Sequence, residues 1–367
     1  MKRRCFVMFP ANSVGGAENV LKRLVVEFVR RGFEVDVLCL TKGTGELFPN
    51  GYDSSVNVTV LPTWKERYGA FLGFLHILKN DAAYDLSVSS HVQCNALLAL
   101  MKRVRLLHTN WLICRESTII NRRFRGVRRI YFKLLYAFYS KEIDLLICQT
   151  EEMQREVLEF LPLGLPRKTV VIGNPTSPDC VERRISPVRS APIFVSVGRL
   201  IFEKGFDVLV TAFQKIRFTY PSARLKIFGE GPEWNALNSQ VLALGLAESV
   251  DLCGSTKRPL SVMQEADVCV LSSRIEGFPN TLLEMMKANS RVVATTCADG
   301  IENIKGLVIC EPNDSGALAG AMIAAVHAGL EAAPSFDMEI RGRMPSGFVD
   351  RMFGELARCD FGLDVAR

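Results

Sequence analysis

Short runs of Val, Ile and Leu, each closed by Gly, Asn or Ser and followed by a segment of helical periodicity, recur along the whole chain. In the first half the strand candidates are Cys5–Phe9, Glu34–Leu40, Leu86–Ser89, Val104–His108, Leu145–Gln149 and Val170–Ile172, with helices at Ala17–Arg31, Val92–Met101 and Glu151–Phe160. In the second half they are Ile193–Val197, Leu225–Phe228, Val250–Leu252, Asp267–Leu271, Val292–Thr295 and Leu307–Cys310. Helices Phe206–Thr219, Glu233–Leu244, Pro259–Ala266, Asn280–Ala288 and Ser315–Ala328 alternate with those strands. Continuous apolar runs fit strands covered on both faces, which need helical crossovers. The pattern predicts α/β domains with doubly wound parallel sheets, and 367 residues suffice for two of them. The proline-bearing stretch 176–191 has linker composition, dividing a first domain (1–175) from a second (192–335) and a tail (336–367).

The run Glu276-Gly277-Phe278-Pro279-Asn280-Thr281-Leu282-Leu283-Glu284 follows the strand at 267–271 and enters a helix that Asn280 can cap. Strand, turn and helix together aim backbone N–H groups at the mouth of a parallel sheet, where phosphorylated ligands bind. Glu284, one helical turn in, is placed to accept hydrogen bonds from a ribose, and Glu276 to face what hangs off the phosphate. Taken alone, two glutamates at this spacing are more often a pair of solvated helix-end charges. A second strand ends at Gly198-Arg199 and continues to Lys204-Gly205, so two cations leave the sheet just before a helix N-terminus. Gly229 and Gly231 form a third strand-end turn, and Gly15-Gly16-Ala17-Glu18 opens the first helix. Either glycine pair suits close approach to a ligand, or simply tight strand–helix packing.

These segments resemble the retaining nucleotide-sugar glycosyltransferases of the GT-B fold, of the family 4 type. The carriers are the two glutamates at 276 and 284, G-R-x-x-x-x-K-G at 198–205, G-x-G-P at 229–232, G-G-A-E at 15–18 and Gly173-Asn174-Pro175. The resemblance is dense over 190–310 and thinner in the first half. It implies two Rossmann-like domains facing a cleft, with the last helix crossing back onto the first domain. It implies that Arg199 and Lys204 neutralise a diphosphate, that Glu284 holds the ribose, and that Glu276 with the turn residues Gly277, Phe278, Pro279, Asn280 and Thr281 fixes the sugar. Gly15, Gly16, Gly229 and Gly231 would line the donor. His108, read as the end of a strand, matches the family's active-site histidine.

The donor implied is a nucleoside-diphosphate sugar, a uridine one by expectation, and the acceptor a lipid-linked or polysaccharide hydroxyl of the cell-envelope type. No Asp-x-Asp occurs in the sequence, which argues against a metal-clamped donor site, so no metal or other cofactor is expected. Two other classes stay open: a nucleotide-sugar epimerase of the same fold, and a non-catalytic protein that only binds sugar nucleotides.

Charge is uneven. Residues 1–185 hold 27 Lys and Arg against 18 Asp and Glu, whereas the rest of the chain is slightly acidic. Six of those cations, Arg122, Arg123, Arg125, Arg128, Arg129 and Lys133, fall in one stretch without an acid. Val127, Ile130, Tyr131, Leu134, Leu135 and Phe138 recur through it and just beyond it at helical spacing. Such a helix either docks on an anionic membrane surface or packs its apolar face on the sheet with its charges in water. No nucleic-acid module accompanies the basic residues. The eleven cysteines include no C-x-x-C pair, and with no membrane-spanning run the expected location is cytoplasmic, peripheral at the inner membrane face.

Overall fold

In the computed structural model the described residues are 2–13, 15–43, 47–49, 52–80, 82–118, 126–160, 166–177, 182–185, 187–328 and 333–358. The chain forms two compact units, Met1–Pro175 with Pro345–Arg367, and Thr176–Met344.

The first unit runs β1 (Arg4–Phe9), α1 (Gly16–Arg30), β2 (Glu34–Cys39), β3 (Val56–Val60), α2 (Glu66–Leu78), β4 (Ala83–Ser90), α3 (Val92–Arg103), β5 (His108–Arg115), α4 (Gly126–Tyr139), β6 (Leu145–Cys148), α5 (Glu151–Phe160) and β7 (Lys168–Val171). Its seven strands lie in the order β3-β2-β1-β4-β5-β6-β7, and every pairing is parallel. The sheet is covered on both faces, which is why β1 from Cys5 onward and β6 are apolar throughout. Cys5, Val7 and Phe9 of β1 pack into one core with Leu21, Leu24 and Phe28 of α1. Phe6 and Met8 pack into the other with Leu98 of α3.

The second unit runs β8 (Ile193–Val197), α6 (Phe206–Thr219), β9 (Arg224–Phe228), α7 (Trp234–Ala243), β10 (Val250–Leu252), α8 (Pro259–Glu265), β11 (Val268–Leu271), α9 (Asn280–Ala288), β12 (Val292–Thr295), β13 (Val308–Cys310), α10 (Ser315–His327) and α11 (Ala333–Arg341). Its six parallel strands take the order β10-β9-β8-β11-β12-β13. In each sheet the winding reverses once, between β1 and β4 in the first and between β8 and β11 in the second. Loops leaving those strands diverge and open a crevice at the carboxyl edge. The last helix, α12 (Pro345–Ala357), rejoins the first unit, where Phe348, Val349, Met352, Phe353 and Leu356 are buried beside α1. The fold is therefore a pair of doubly wound α/β units.

Several expectations need correction. The strand expected at 104–108 is a turn: α3 continues to Arg103, and Arg105 takes a left-handed φ of 60°. Leu106 and Arg105 donate to the carbonyls of Met101 and Lys102, closing the helix in a Schellman motif without its usual glycine. The strand begins at His108 instead. The described part of the expected linker is tied into the second unit, since Arg184 and Arg189 both reach the buried carboxylate of Asp267. Residues 336–344, expected in the tail, lie in the second unit. Strand β3 and helix α2 were not anticipated.

Candidate functional site

The second unit gathers its charged residues where β8 and β11 end, beside the reversal of winding. Beyond β8, Arg199 is exposed and Phe202–Lys204 make one tight 3₁₀ turn. Gly205 closes it with φ 63°, and a Cβ there would lie 2.2 Å from the Ser272 carbonyl. The turn is thus pressed against the exit of β11, and only glycine allows it. Ser272 Oγ donates to the Lys204 carbonyl (3.0 Å), and the Arg274 amide donates to the Glu203 carbonyl (2.7 Å). This seating brings the Lys204 ammonium onto the Glu276 carboxylate, which also accepts from Ser273 Oγ at 2.9 Å. Both charged side chains are largely buried, 17% and 18% exposed, so their attraction is little screened.

Arg274 was not singled out from sequence. Its guanidinium stacks 4.2 Å from the Phe202 ring and donates to the Phe202 carbonyl (2.6 Å), and it binds both oxygens of Asp207 in the first turn of α6. Burial opposes ionisation of Asp207, but the bonds from Arg274 hold its carboxyl below the usual range. Arg274 is a brace for the lysine-bearing turn. The only sequence signal was an arginine between a strand end and Glu276.

Helix α9 starts at Asn280 with Pro279 at the capping position and no side-chain cap, so the expected capping role of Asn280 is not the one observed. Leu282, Leu283, Met285, Met286 and Ala288 are its buried side chains, and Glu284 is half-buried with Asn280 and Thr281. Gly277, Phe278 and Pro279 are buried. The Phe278 ring belongs to the core under α9, with the Arg343 guanidinium 4.4 Å above it, so its side chain seats the turn and only its backbone is placed to meet a ligand. Gly229 and Gly231 have a packing reason: a Cβ at either would meet the carbonyl of Gly198 (1.8 Å) or of Leu200 (2.3 Å). They let the β9 exit lie against the segment that carries Arg199.

In the first unit His108 is out of place. It is the first residue of β5, paired with Ala83 at the start of β4, and so lies at the amino edge of a parallel sheet. Ligand crevices lie at the opposite edge. The histidine at the carboxyl edge is His91, directly after β4, with φ 92°. The sequence signal is present in Ser89-Ser90-His91, a polar close to an apolar strand, but the sequence reading gave His91 no role.

Around His91, the strand ends carry a buried polar network. Arg115, 1% exposed, donates to Ser90 Oγ (3.0 Å) and to the Asn174 side-chain carbonyl. Asn174 donates to Gln149, which donates to the Glu116 carbonyl. Burial lowers the Arg115 pKa to about 10, against the raising influence of Glu116 and Glu18. Gly15 caps α1 and Gly16 begins it.

Of the six basic residues of the amphipathic stretch, Arg122, Arg123 and Arg125 lie outside the described residues, as does the side chain of Arg128. Arg129 and Lys133 are exposed on α4. Val127, Ile130, Tyr131 and Leu134 are exposed as well, while Phe132 turns to the core. Of that apolar face Leu135 packs on the core beside Phe132, as the packing alternative expects, four residues face outward, and the side chain of Phe138 lies outside the described residues. No described helix is long and apolar enough to cross a membrane.

With this geometry in place, known proteins supply the family. The model for Glycosyltransferase Family 4 matches residues 14–179, and that for Glycosyl transferases group 1 matches 191–328. The chain thus carries a Glycosyltransferase Family 4 domain followed by a Glycosyl transferases group 1 domain, which together span most of it. An uncharacterized glycosyltransferase of Haemophilus influenzae is 24% identical over 86% of this chain and 87% of its own length. An uncharacterized glycosyltransferase of Methanocaldococcus jannaschii is 30% identical over 47% of this chain and 44% of its own. The lipopolysaccharide core biosynthesis glycosyltransferase LpsE of Rhizobium meliloti is 29% identical over 43% and 45%. Against the latter two relatives the chain spans under half their length. Anabaena HepE, solved in complex with UDP-glucose, superposes with a TM-score of 0.75 at 16% identity, covering 97% of this chain and 99% of HepE. That likeness makes the fold GT-B.

Proposed function

We propose that the chain is a retaining glycosyltransferase that moves a sugar from a nucleoside-diphosphate donor, a uridine one, to a hydroxyl of an envelope glycan. The observation that carries this reading is the Lys204–Glu276 pair, seated beside Arg199 at the winding reversal of the second sheet. Two cations and the α9 N-terminus can neutralise a diphosphate both bound and departing, which lowers the barrier to leaving. Donor phosphate would compete with Glu276 for Lys204, freeing the carboxylate to accept from sugar hydroxyls, while Glu284 accepts from the ribose. The acceptor hydroxyl would attack from the face of the departing phosphate, whose oxygen takes the proton, so that configuration is kept and no protein nucleophile is needed. These protein cations take the part a metal plays elsewhere, and the reading requires none.

His91 replaces His108 as the histidine assigned to the sugar. HepE supports a uridine donor through its complex with UDP-glucose, and LpsE supports an envelope acceptor through its role in lipopolysaccharide core biosynthesis. Helix α4 supports a peripheral membrane location, because it exposes four apolar residues beside two cations. Across α3 from it, α2 exposes Tyr68 and Phe71, just after exposed Trp64.

Turnover of a panel of UDP- and GDP-sugars, followed by NMR with a membrane lipid extract as acceptor, tests the reading. Release of one nucleotide with an α-linked product from an α-linked donor is the expected result. Conversion of a donor without acceptor would favour an epimerase, and saturable binding of a UDP-sugar with no turnover in any lipid extract would favour a binding protein.

A further inference from the structure

Glu18 lies in the first turn of α1, and its carboxylate Oε1 is 3.8 Å from Nε2 of His91. Both side chains are mostly enclosed, 13% and 28% exposed. The carboxylate folds back over the start of the helix: a Cβ on Gly15 would lie 2.2 Å from Glu18 Oε2. Gly15 itself has φ −135° and ψ 167°, extended backbone open to any residue. Its glycine is therefore explained by the carboxylate above it and not by backbone conformation. His91 carries the opposite constraint. Its φ of 92° is a strained value for a residue with a side chain, and such strain persists only where neighbours fix it. Ser90, just before it, is held by Arg115.

We propose that Glu18 is a positioning residue for His91, and that Gly15 is glycine in order to admit its carboxylate. The negative charge beside Nε2 favours a proton on that nitrogen and limits rotation of the ring, so that the accessible edge of the ring is already oriented when the sugar arrives. This rests on the assignment of His91 to the sugar. It gives the Gly-Gly-Ala-Glu segment a second use besides approach to phosphate. The Gly15→Ala variant is a sharp probe, because the atom in its way is the far end of a flexible side chain. It would displace the carboxylate with little cost to folding.

The test compares Glu18→Gln, Gly15→Ala, the double variant and His91→Ala in two measurements. The first is the ¹⁵N chemical shifts of the His91 ring in the ligand-free protein. The second is kcat and donor KM for the UDP-sugar that turns over. Glu18→Gln and Gly15→Ala are both expected to move the ring shifts and to lower kcat by about ten- to a hundredfold, the upper figure being the cost of a contact misplaced by about 1 Å. Donor KM should stay within about twofold, and the double variant should be no worse than either single one. Unchanged ring shifts in Glu18→Gln would overturn the proposal. So would a Gly15→Ala variant that raises donor KM while Glu18→Gln does not, since that is the signature of a phosphate loop. Full turnover in His91→Ala would instead overturn the assignment of His91, while the ring shifts would still decide whether Glu18 holds it.

Discussion

The two carboxyl edges are built in opposite ways. In the second unit the polar side chains come from two neighbouring loops, keep part of their surface in water and make pairs that a ligand can exchange, Lys204 with Glu276 above all. In the first unit they come from four strand ends, Ser90, Arg115, Gln149 and Asn174, and are buried in contacts with one another. The first arrangement suits an edge that must bind and release charge. The second suits an edge that must hold one shape. Substitutions should therefore act on turnover in one unit and on stability in the other.

The sharpest test of that division is Lys204→Ala. With the cation gone, turnover should fall about 10²- to 10³-fold, the usual effect of losing one preorganised charge at a departing group. Glu276 keeps its bond from Ser273 and some access to water, so the stability cost should be about 1 kcal/mol, below that of losing a fully buried cation. The contrast is Glu284→Ala, which should weaken donor affinity about tenfold and leave kcat within a few fold, as titration calorimetry with the donor would read. Equal donor affinity in the Glu284 variant would remove it from the ribose.

Arg115→Met tests the other edge. It strands Asn174 and Ser90 without their donor, and removing one partner of a buried charged network costs about 3 kcal/mol. Hydrogen exchange at the β5 and β6 amides should accelerate, with the second unit unaffected. A variant that folds normally but loses turnover would break the comparison, because Arg115 would then belong to the chemistry.

The same contrast explains what could be read from sequence. In the second unit β8, β12, α6 and α9 coincide with the expected segments, because each is a short apolar run or a periodic stretch entered from Gly or Pro, and β10 coincides as well. Its site residues fall within two short motifs, so adjacency in sequence stood in for adjacency in space. The first unit offered no such shortcut. Arg115 and Asn174 are 59 residues apart and meet only because β5, β6 and β7 are neighbours. Leu106-Leu107-His108 looked like a strand end because a short apolar run has no period to betray it, and Arg105 hid the helix stop that a glycine would have marked. Helix α2 was obscured by Gly69 and Gly73, which are poor helix formers. Gly69 is required because a Cβ there would lie 2.3 Å from the Leu40 carbonyl.

Arg274→Ala is a smaller test of the exchangeable edge. It removes the brace between Phe202 and Asp207, both partly in water, so the stability cost should be about 1 kcal/mol. Lys204 would be less well placed, and kcat should fall more than donor affinity. A pH effect follows with a definite sign. The folded-state pKa of Asp207 is depressed, so its contribution to stability is present above the ordinary carboxylate value of 3.8 and is lost as pH falls through the folded value. Wild type and variant should therefore converge in stability in acid and differ at neutral pH, and melting curves across that range would show it.

The smallest effect on folding, and the most selective on location, is expected from α4. Val127 and Ile130 are 83% and 59% exposed, so Val127→Ser with Ile130→Ser should change stability by no more than about 0.5 kcal/mol. On an anionic surface the same two side chains would enter the lipid boundary while Arg129 and Lys133 meet the headgroups, each element reinforcing the other. Partition onto vesicles containing phosphatidylglycerol should then drop several fold in the double variant, and added salt should lower that of wild type. Vesicles of phosphatidylcholine alone should bind weakly in every case. Equal binding of wild type and variant to the anionic vesicles would mean that these outward-facing residues do not take part in docking. The basic surface of the first unit would then act, if at all, through charge alone.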